Sequence, residues 1–286
     1  MFPTNLVRAV RRALSVLLTT SLVAAVGIAA TADPAAAAAD YFSFDAGIVQ
    51  PGAVRHVYWN NATSDAYAVG LEVATTRSGR ACAVEVTRTW YEREATGERE
   101  FHLQLTGDSS TACQVRVWLA GLTMYRRNVL PALAPGASWS GHWNNAHSED
   151  WAYLVGAVGS VPGSGSCRIE VKTHYRTQPD GESEFYYTAT NVGVQTCSAE
   201  LRHVELPVDH RPVLWERDPG ETASISTGLP DGVRMFVHGA RPNAVPGGPC
   251  RYSIGPPRYM DGGGVFVDYS NDGAVTCATM TTWTEL

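Results

Sequence analysis

Helix is the first thing this chain does without. Beyond residue 39 no stretch keeps a sustained helical period, which excludes bundle and α/β classes. Lysine is nearly absent: Lys172 is the sole one, and the other basic residues are arginines. With abundant alanine, that bias fits the codon usage of a GC-rich bacterium. Catalytic and metal signatures are missing too. There is no Gly-x-Ser-x-Gly elbow, no His-Glu-x-x-His and no phosphate loop. No Cys-x-x-Cys or Cys/His cluster has zinc spacing. From these absences we expect neither an enzyme nor a cofactor nor a metal.

After the first forty residues, no apolar run is long enough to span a bilayer. Residues 1–39 carry Arg8, Arg11 and Arg12, then an apolar run over 14–30, and close on alanines before Asp40. That order reads as a cleaved secretory signal. Its removal takes three arginines and Asp33, leaving 19 basic against 27 acidic groups, a net charge of −8. Clustered cations are what counterion release from nucleic acid requires, so nucleic acid is not an expected partner.

What the chain has is repetition. Pro51-Gly52, Pro135-Gly136 and Pro219-Gly220 are 84 residues apart, as are Tyr91, Tyr175 and Tyr259. The expected organisation is a leader (1–39), repeat 1 (40–122), repeat 2 (123–206) and a divergent repeat 3 (207–286). Each repeat holds two cysteines, which in an exported chain read as three disulfides within the repeats. The pairs are Cys82–Cys113, Cys167–Cys197 and Cys250–Cys277.

The fold class is all-β. In the middle copy, runs 128–133, 139–144, 151–158, 167–175, 183–190 and 197–206 are rich in Val, Thr and aromatics and are separated by turn residues. Six strands per unit predict a small two-layer, sandwich-like unit repeated three times. If strands four to six formed a flat meander, the outer two would lie about 9.5 Å apart. A disulfide needs Cα atoms within about 7 Å. Either each first cysteine lies in the loop ahead of its strand, or the sixth strand crosses to the other sheet, which is the expectation favoured here. Short junctions between copies suit either a curved row or a pseudo-threefold arrangement. Trefoils and prisms, two sugar-binding architectures, share that symmetry, although 84 residues is long for a trefoil lobe.

Trp59-Asn60-Asn61 and Trp143-Asn144-Asn145 recur in register, followed by Tyr67 and Tyr153, while the third copy has Thr227-Gly228 instead. One reading makes each Trp a core anchor and the Asn pair a turn. The other makes Trp59, Asn60, Asn61, Tyr67, Trp143, Asn144, Asn145 and Tyr153 paired binding sites, an aromatic face beside amides that suits a sugar ring. The leading expectation is a secreted, non-catalytic, lectin-like protein binding an extracellular or cell-surface carbohydrate. The alternative is an accessory subunit that docks to secreted or cell-surface proteins, in a toxin assembly or as an inhibitor. The acidic pairs Glu98/Glu100 and Glu182/Glu184 have the spacing to ligate calcium or act as acid and base, but two Glu make an incomplete calcium shell, and the favoured expectation is solvated strand edges.

Overall fold

In the computed structural model, residues 40–160, 165–210, 214–228, 235–243, 245 and 247–286 are described. The expected leader and the turn at 162–164 lie outside them. Every regular element among the described residues is a β-strand, and no helix there is long and apolar enough to cross a membrane.

Repeat 1 comprises β1 (Asp40–Val49), β2 (Val54–Asn60), β3 (Ala66–Thr75), β4 (Ala83–Arg93), β5 (Arg99–Gly107) and β6 (Cys113–Leu122). They make two antiparallel sheets ordered β1-β6-β3 and β2-β5-β4. Strand pleating sends alternate side chains to opposite faces, so Phe101, Leu103 and Leu105 of one sheet and Val115, Val117 and Leu119 of the other are buried in one core. Repeat 2 follows the same order with β7 (Arg126–Val129), β8 (Ser138–Asn144), β9 (Trp151–Ser160), β10 (Cys167–Thr177), β11 (Ser183–Asn191) and β12 (Ser198–Pro207). Its first strand ends earlier than the sequence predicts. Pro131 has no N–H to extend the ladder, and only Leu133 rejoins, bridging Cys197.

Repeat 3 contains β13 (Leu214–Arg217), β14 (Thr222–Gly228), β15 (Phe236–Pro242), β16 (Cys250–Ile254), β17 (Arg258–Met260), β18 (Gly264–Asn271) and β19 (Cys277–Glu285). Here β16 and β17 are two halves of one fourth strand, separated by Gly255-Pro256-Pro257. The three disulfides pair as expected, with Cα–Cα distances of 5.7, 5.8 and 5.8 Å. Each joins the start of a fourth strand to the start of a sixth strand in the opposite sheet, so the sixth strand does cross.

The three units close on one another. β4 pairs β10 from Tyr91↔Ile169 to Arg93↔Cys167. In turn β10 pairs β16 from His174↔Ser253 to Thr177↔Cys250, and β17 returns to β4 from Arg258↔Glu85 to Met260↔Ala83. The fourth strands thus form a ring about a pseudo-threefold axis, not a row.

The repeated tyrosines lock this ring. Tyr259 Oη donates to the Val69 carbonyl at 2.8 Å, tying unit 3 to unit 1, and Tyr175 Oη reaches the His238 carbonyl at 3.5 Å, tying unit 2 to unit 3. Tyr91 Oη accepts the Tyr67 N–H at 3.3 Å. The third strands converge on the same axis through small side chains, Ala66, Ala68 and Ala152, with Met235 and Val237. Backbones approach so closely there that a Cβ on Gly156 would collide with the Asp65 carbonyl.

Candidate functional site

The Trp-Asn-Asn elements end the second strands of units 1 and 2. Trp59 lies opposite Phe101 and is half-buried, with Phe42 and Phe44 at ring distances of 4.8 and 6.0 Å. Trp143 lies opposite Phe185, near Tyr125 at 5.9 Å and Tyr153 at 5.4 Å. Asn61 and Asn145 adopt positive φ, 55° and 54°, the left-handed conformation that Asn tolerates better than most side chains. Each sets up the reversal in which the next N–H, Ala62 or Ala146, returns to the carbonyl of Arg99 or Ser183.

The second Asn is therefore a turn former, while Asn60 and Asn144 are exposed beside it. Tyr67 and Tyr153 lie on the third strands. Both are buried, 3% and 6% exposed, and each packs 5.1 Å from the core phenylalanine of its unit. In the third copy Thr227, buried, occupies the equivalent of the two tryptophans.

A cavity of about 700 Å³ sits on the pseudo-threefold axis, lined by all three units. Its lining repeats in register: Tyr67, Tyr153 and Phe236 with Ala68, Leu154 and Val237 come from the third strands. Val86, Val171 and Ile254 come from the fourth strands. Polar groups gather among the fourth-strand residues. Arg88 Nη2 lies 2.6 Å from Glu170 Oε2 and Lys172 Nζ lies 3.9 Å from Glu170 Oε1, while exposed Arg251 is a third cation of the lining. His174 also lines the wall, its pKa pushed down to about 4, first by burial and then by the Arg251 charge.

Comparison with known proteins returns no matching family model, no matching curated protein and no matching solved structure. The site has to be read from its own chemistry.

The cavity escaped sequence reading because two residues that carry its charge, Arg88 and Lys172, have no charged counterpart in the third copy, where Gly255-Pro256-Pro257 falls. Val86, Val171 and Ile254 do match in apolar character, the one signal that could have marked the wall.

The outward faces of the β2-β5-β4 sheet and its equivalents also align position by position, with different chemistry. Unit 1 presents Tyr58, Trp90, Glu92, Glu100 and His102; unit 2 presents His142, His174, Arg176, Glu184 and Tyr186; unit 3 presents Arg258 and Met260 beside Phe266. In unit 2 the carboxylate is satisfied: Glu184 Oε2 accepts from Gln178 Nε2 at 2.8 Å and from Tyr186 Oη at 3.0 Å.

The acidic pairs do not behave as solvated edges. Glu98 is exposed, but on those outward faces Glu100 is half-buried and Glu184 buried, and the partner of Glu100 is Glu92 across the strand pair. Burial, then the neighbouring Glu94, Glu92 and Glu98, raise the Glu100 pKa. His102, 4% exposed, has its pKa lowered to about 4, chiefly by burial, and can meet Glu92 and Glu100 as a metal-ligating trio.

Proposed function

We propose that this is an exported, non-catalytic binding protein whose ligand enters the axial cavity, and that the ligand is a small molecule with an apolar body and an anionic end. The observation that carries the reading is the cavity's composition. Valine, isoleucine and aromatic rings line it, and its lining holds Arg88, Lys172 and Arg251 but only one carboxylate, Glu170, on a chain whose formal charge is −6. About 700 Å³ falls in the range of small-molecule sites, which bury most of a ligand against apolar walls and orient it with a few polar groups. Export is supported by three disulfides, which persist in oxidising compartments. Glu170 is committed to Arg88 and Lys172, which favours binding over acid–base work by Glu170 and His174 in the cavity.

Carbohydrate on the Trp-Asn-Asn element is the second reading. Tyr125, 69% exposed, stacks on Trp143 at an interplanar angle of 6°, with Asn144 exposed at the same strand end. Calorimetric titration with octanoate, an aryl carboxylate, glucuronate and neutral oligosaccharides separates the two. Cavity binding requires saturable binding of an anionic ligand, abolished by Val171→Trp and weakened by Lys172→Glu. Binding of neutral oligosaccharides alone, lost in Trp143→Ala but kept in Val171→Trp, would overturn it in favour of the surface site.

A further inference from the structure

The outward cluster of unit 1 is chemically unfinished where its counterpart in unit 2 is complete. Glu92 on β4 sits directly opposite Glu100 on β5, and His102, two residues further along β5, shares their face. Like charges directly opposite one another destabilise a strand pair, and here one of them is buried. Glu92 is 3% exposed, and neither of its carboxylate oxygens makes a hydrogen bond among the described residues. Arg168, reaching across the seam from unit 2, places Nε 2.7 Å from Glu92 Oε2 and leaves Oε1 without a partner.

His102 adds the third donor. Its Nε2 lies 3.2 Å from Glu92 Oε2 and 3.0 Å from Glu100 Oε2, yet it makes no contact of hydrogen-bond geometry. Those separations suit a different bond. Two ligands each about 2.1 Å from one cation, at angles between octahedral and tetrahedral, stand about 3.0 to 3.4 Å apart. The other ring nitrogen, Nδ1, is engaged by His56 Nε2 at 2.8 Å. A hydrogen bond on the far nitrogen is how ligating histidines are commonly oriented. Trp90 stacks on the His102 ring at 4.9 Å and Tyr58 at 5.4 Å, shielding it from water.

We propose that Glu92, Glu100 and His102 bind one divalent transition-metal cation of the Zn²⁺ class at the seam between units 1 and 2. An imidazole with two carboxylates selects such an ion over Ca²⁺, which takes six to eight oxygens. His56 orients the imidazole and Arg168 orients Glu92; neither touches the ion.

The test is titration of the chelator-stripped, desalted full protein with ZnCl₂ by calorimetry, repeated with Co²⁺ followed by its visible absorption. One equivalent per chain is expected, with a rise in melting temperature of several degrees. Glu100→Gln, which keeps shape and removes charge, should weaken binding at least tenfold while melting in metal-free buffer at or above wild type. His56→Ala should weaken it about 10- to 100-fold, and His142→Ala, an exposed histidine on the unit 2 face, should leave it unchanged. The proposal is overturned by the absence of saturable binding near one equivalent. It also falls if both Glu100→Gln and His102→Gln keep wild-type affinity, or if Ca²⁺ binds more tightly than Zn²⁺.

Discussion

Asn191 holds a turn together through three hydrogen bonds from a fully buried side chain. Its Nδ2 donates to the Leu133 carbonyl at 2.8 Å and the Gln195 carbonyl at 2.7 Å, and its Oδ1 accepts the Gly193 N–H at 3.0 Å. Asn271 repeats the arrangement in unit 3 on Arg217, Val275 and Gly273, all at 2.9 Å. In unit 1 the equivalent residue is Gly107, where a Cβ would collide with the Gln50 carbonyl, so that copy has no side chain at this position to hold the turn.

Asn191→Ala therefore removes three buried hydrogen bonds at about 1 kcal/mol each, a loss of about 3 kcal/mol. For a chain of this size, 1 kcal/mol moves the melting temperature by about 2–4 °C. We expect a fall of about 6–12 °C, with a matching shift in urea midpoint and an unchanged slope. Asn191→Asp should be no better, because it sets a carboxylate against two carbonyls. The double change Asn191→Ala/Asn271→Ala should add, since the sites lie in different units and share no partner. A loss below about 1 kcal/mol for Asn191→Ala, or wild-type stability for Asn191→Asp, would refute the reasoning, because the bonds would then be matched by equally good ones to water.

Three further outcomes are expected. Tyr259→Phe removes only the hydroxyl that bonds the Val69 carbonyl and should cost about 1 kcal/mol in chemical denaturation, with no change in secondary structure by circular dichroism. Replacing Cys250 and Cys277 together by alanine opens a loop with a sequence separation of 27 and should cost about 3–4 kcal/mol in the chain-entropy model, read as a lower urea midpoint. His203 is 2% exposed, neither ring nitrogen has a hydrogen-bond partner, and burial followed by the Arg126 charge lowers its pKa from 6.5 to about 4. The unfolded chain thus binds this proton more readily. The contribution of His203 is fully present above pH 6.5 and is lost as pH falls toward 4, by up to about 1.4 kcal/mol per pH unit. His203→Phe should flatten that part of the stability–pH profile, and an unchanged slope would show that this imidazole is not held neutral.

The fold was legible because β structure writes itself locally. Alternation such as Phe101, Leu103 and Leu105 marks a buried face, and Pro-Gly turns at constant spacing mark the repeat. The disulfide pairing followed from the repeat, two cysteines to each copy, and the sheet crossing from two lengths, strand spacing and Cα separation, that do not depend on sequence context. The conserved offset of Tyr91, Tyr175 and Tyr259 pointed to a structural role, and the structure places all three in the ring that joins the units.

The candidate sites were legible only in part. Trp59 and Trp143 stood out as a repeated motif, yet the sequence left open whether their faces were covered, because Phe42 and Phe44 come from another strand and Tyr125 from a junction. The eight histidines hold no repeat-aligned position, so the repeat pattern singles none of them out. His102 acquires its meaning from Glu92, ten residues away but nearby across a hairpin, and from Arg168 in the next unit.

Sequence alone thus determined the strands, their number per unit, the three cross-links and the triplication, all properties of local pattern and fixed covalent geometry. Tertiary structure alone decided that the fourth strands close a ring, that a cavity remains on its axis, and that Glu92, Glu100 and His102 share one face at a seam. Each of these depends on pairing between residues tens to more than a hundred positions apart or on register across a sheet. A one-residue shift in that register would turn the same side chains to the opposite face.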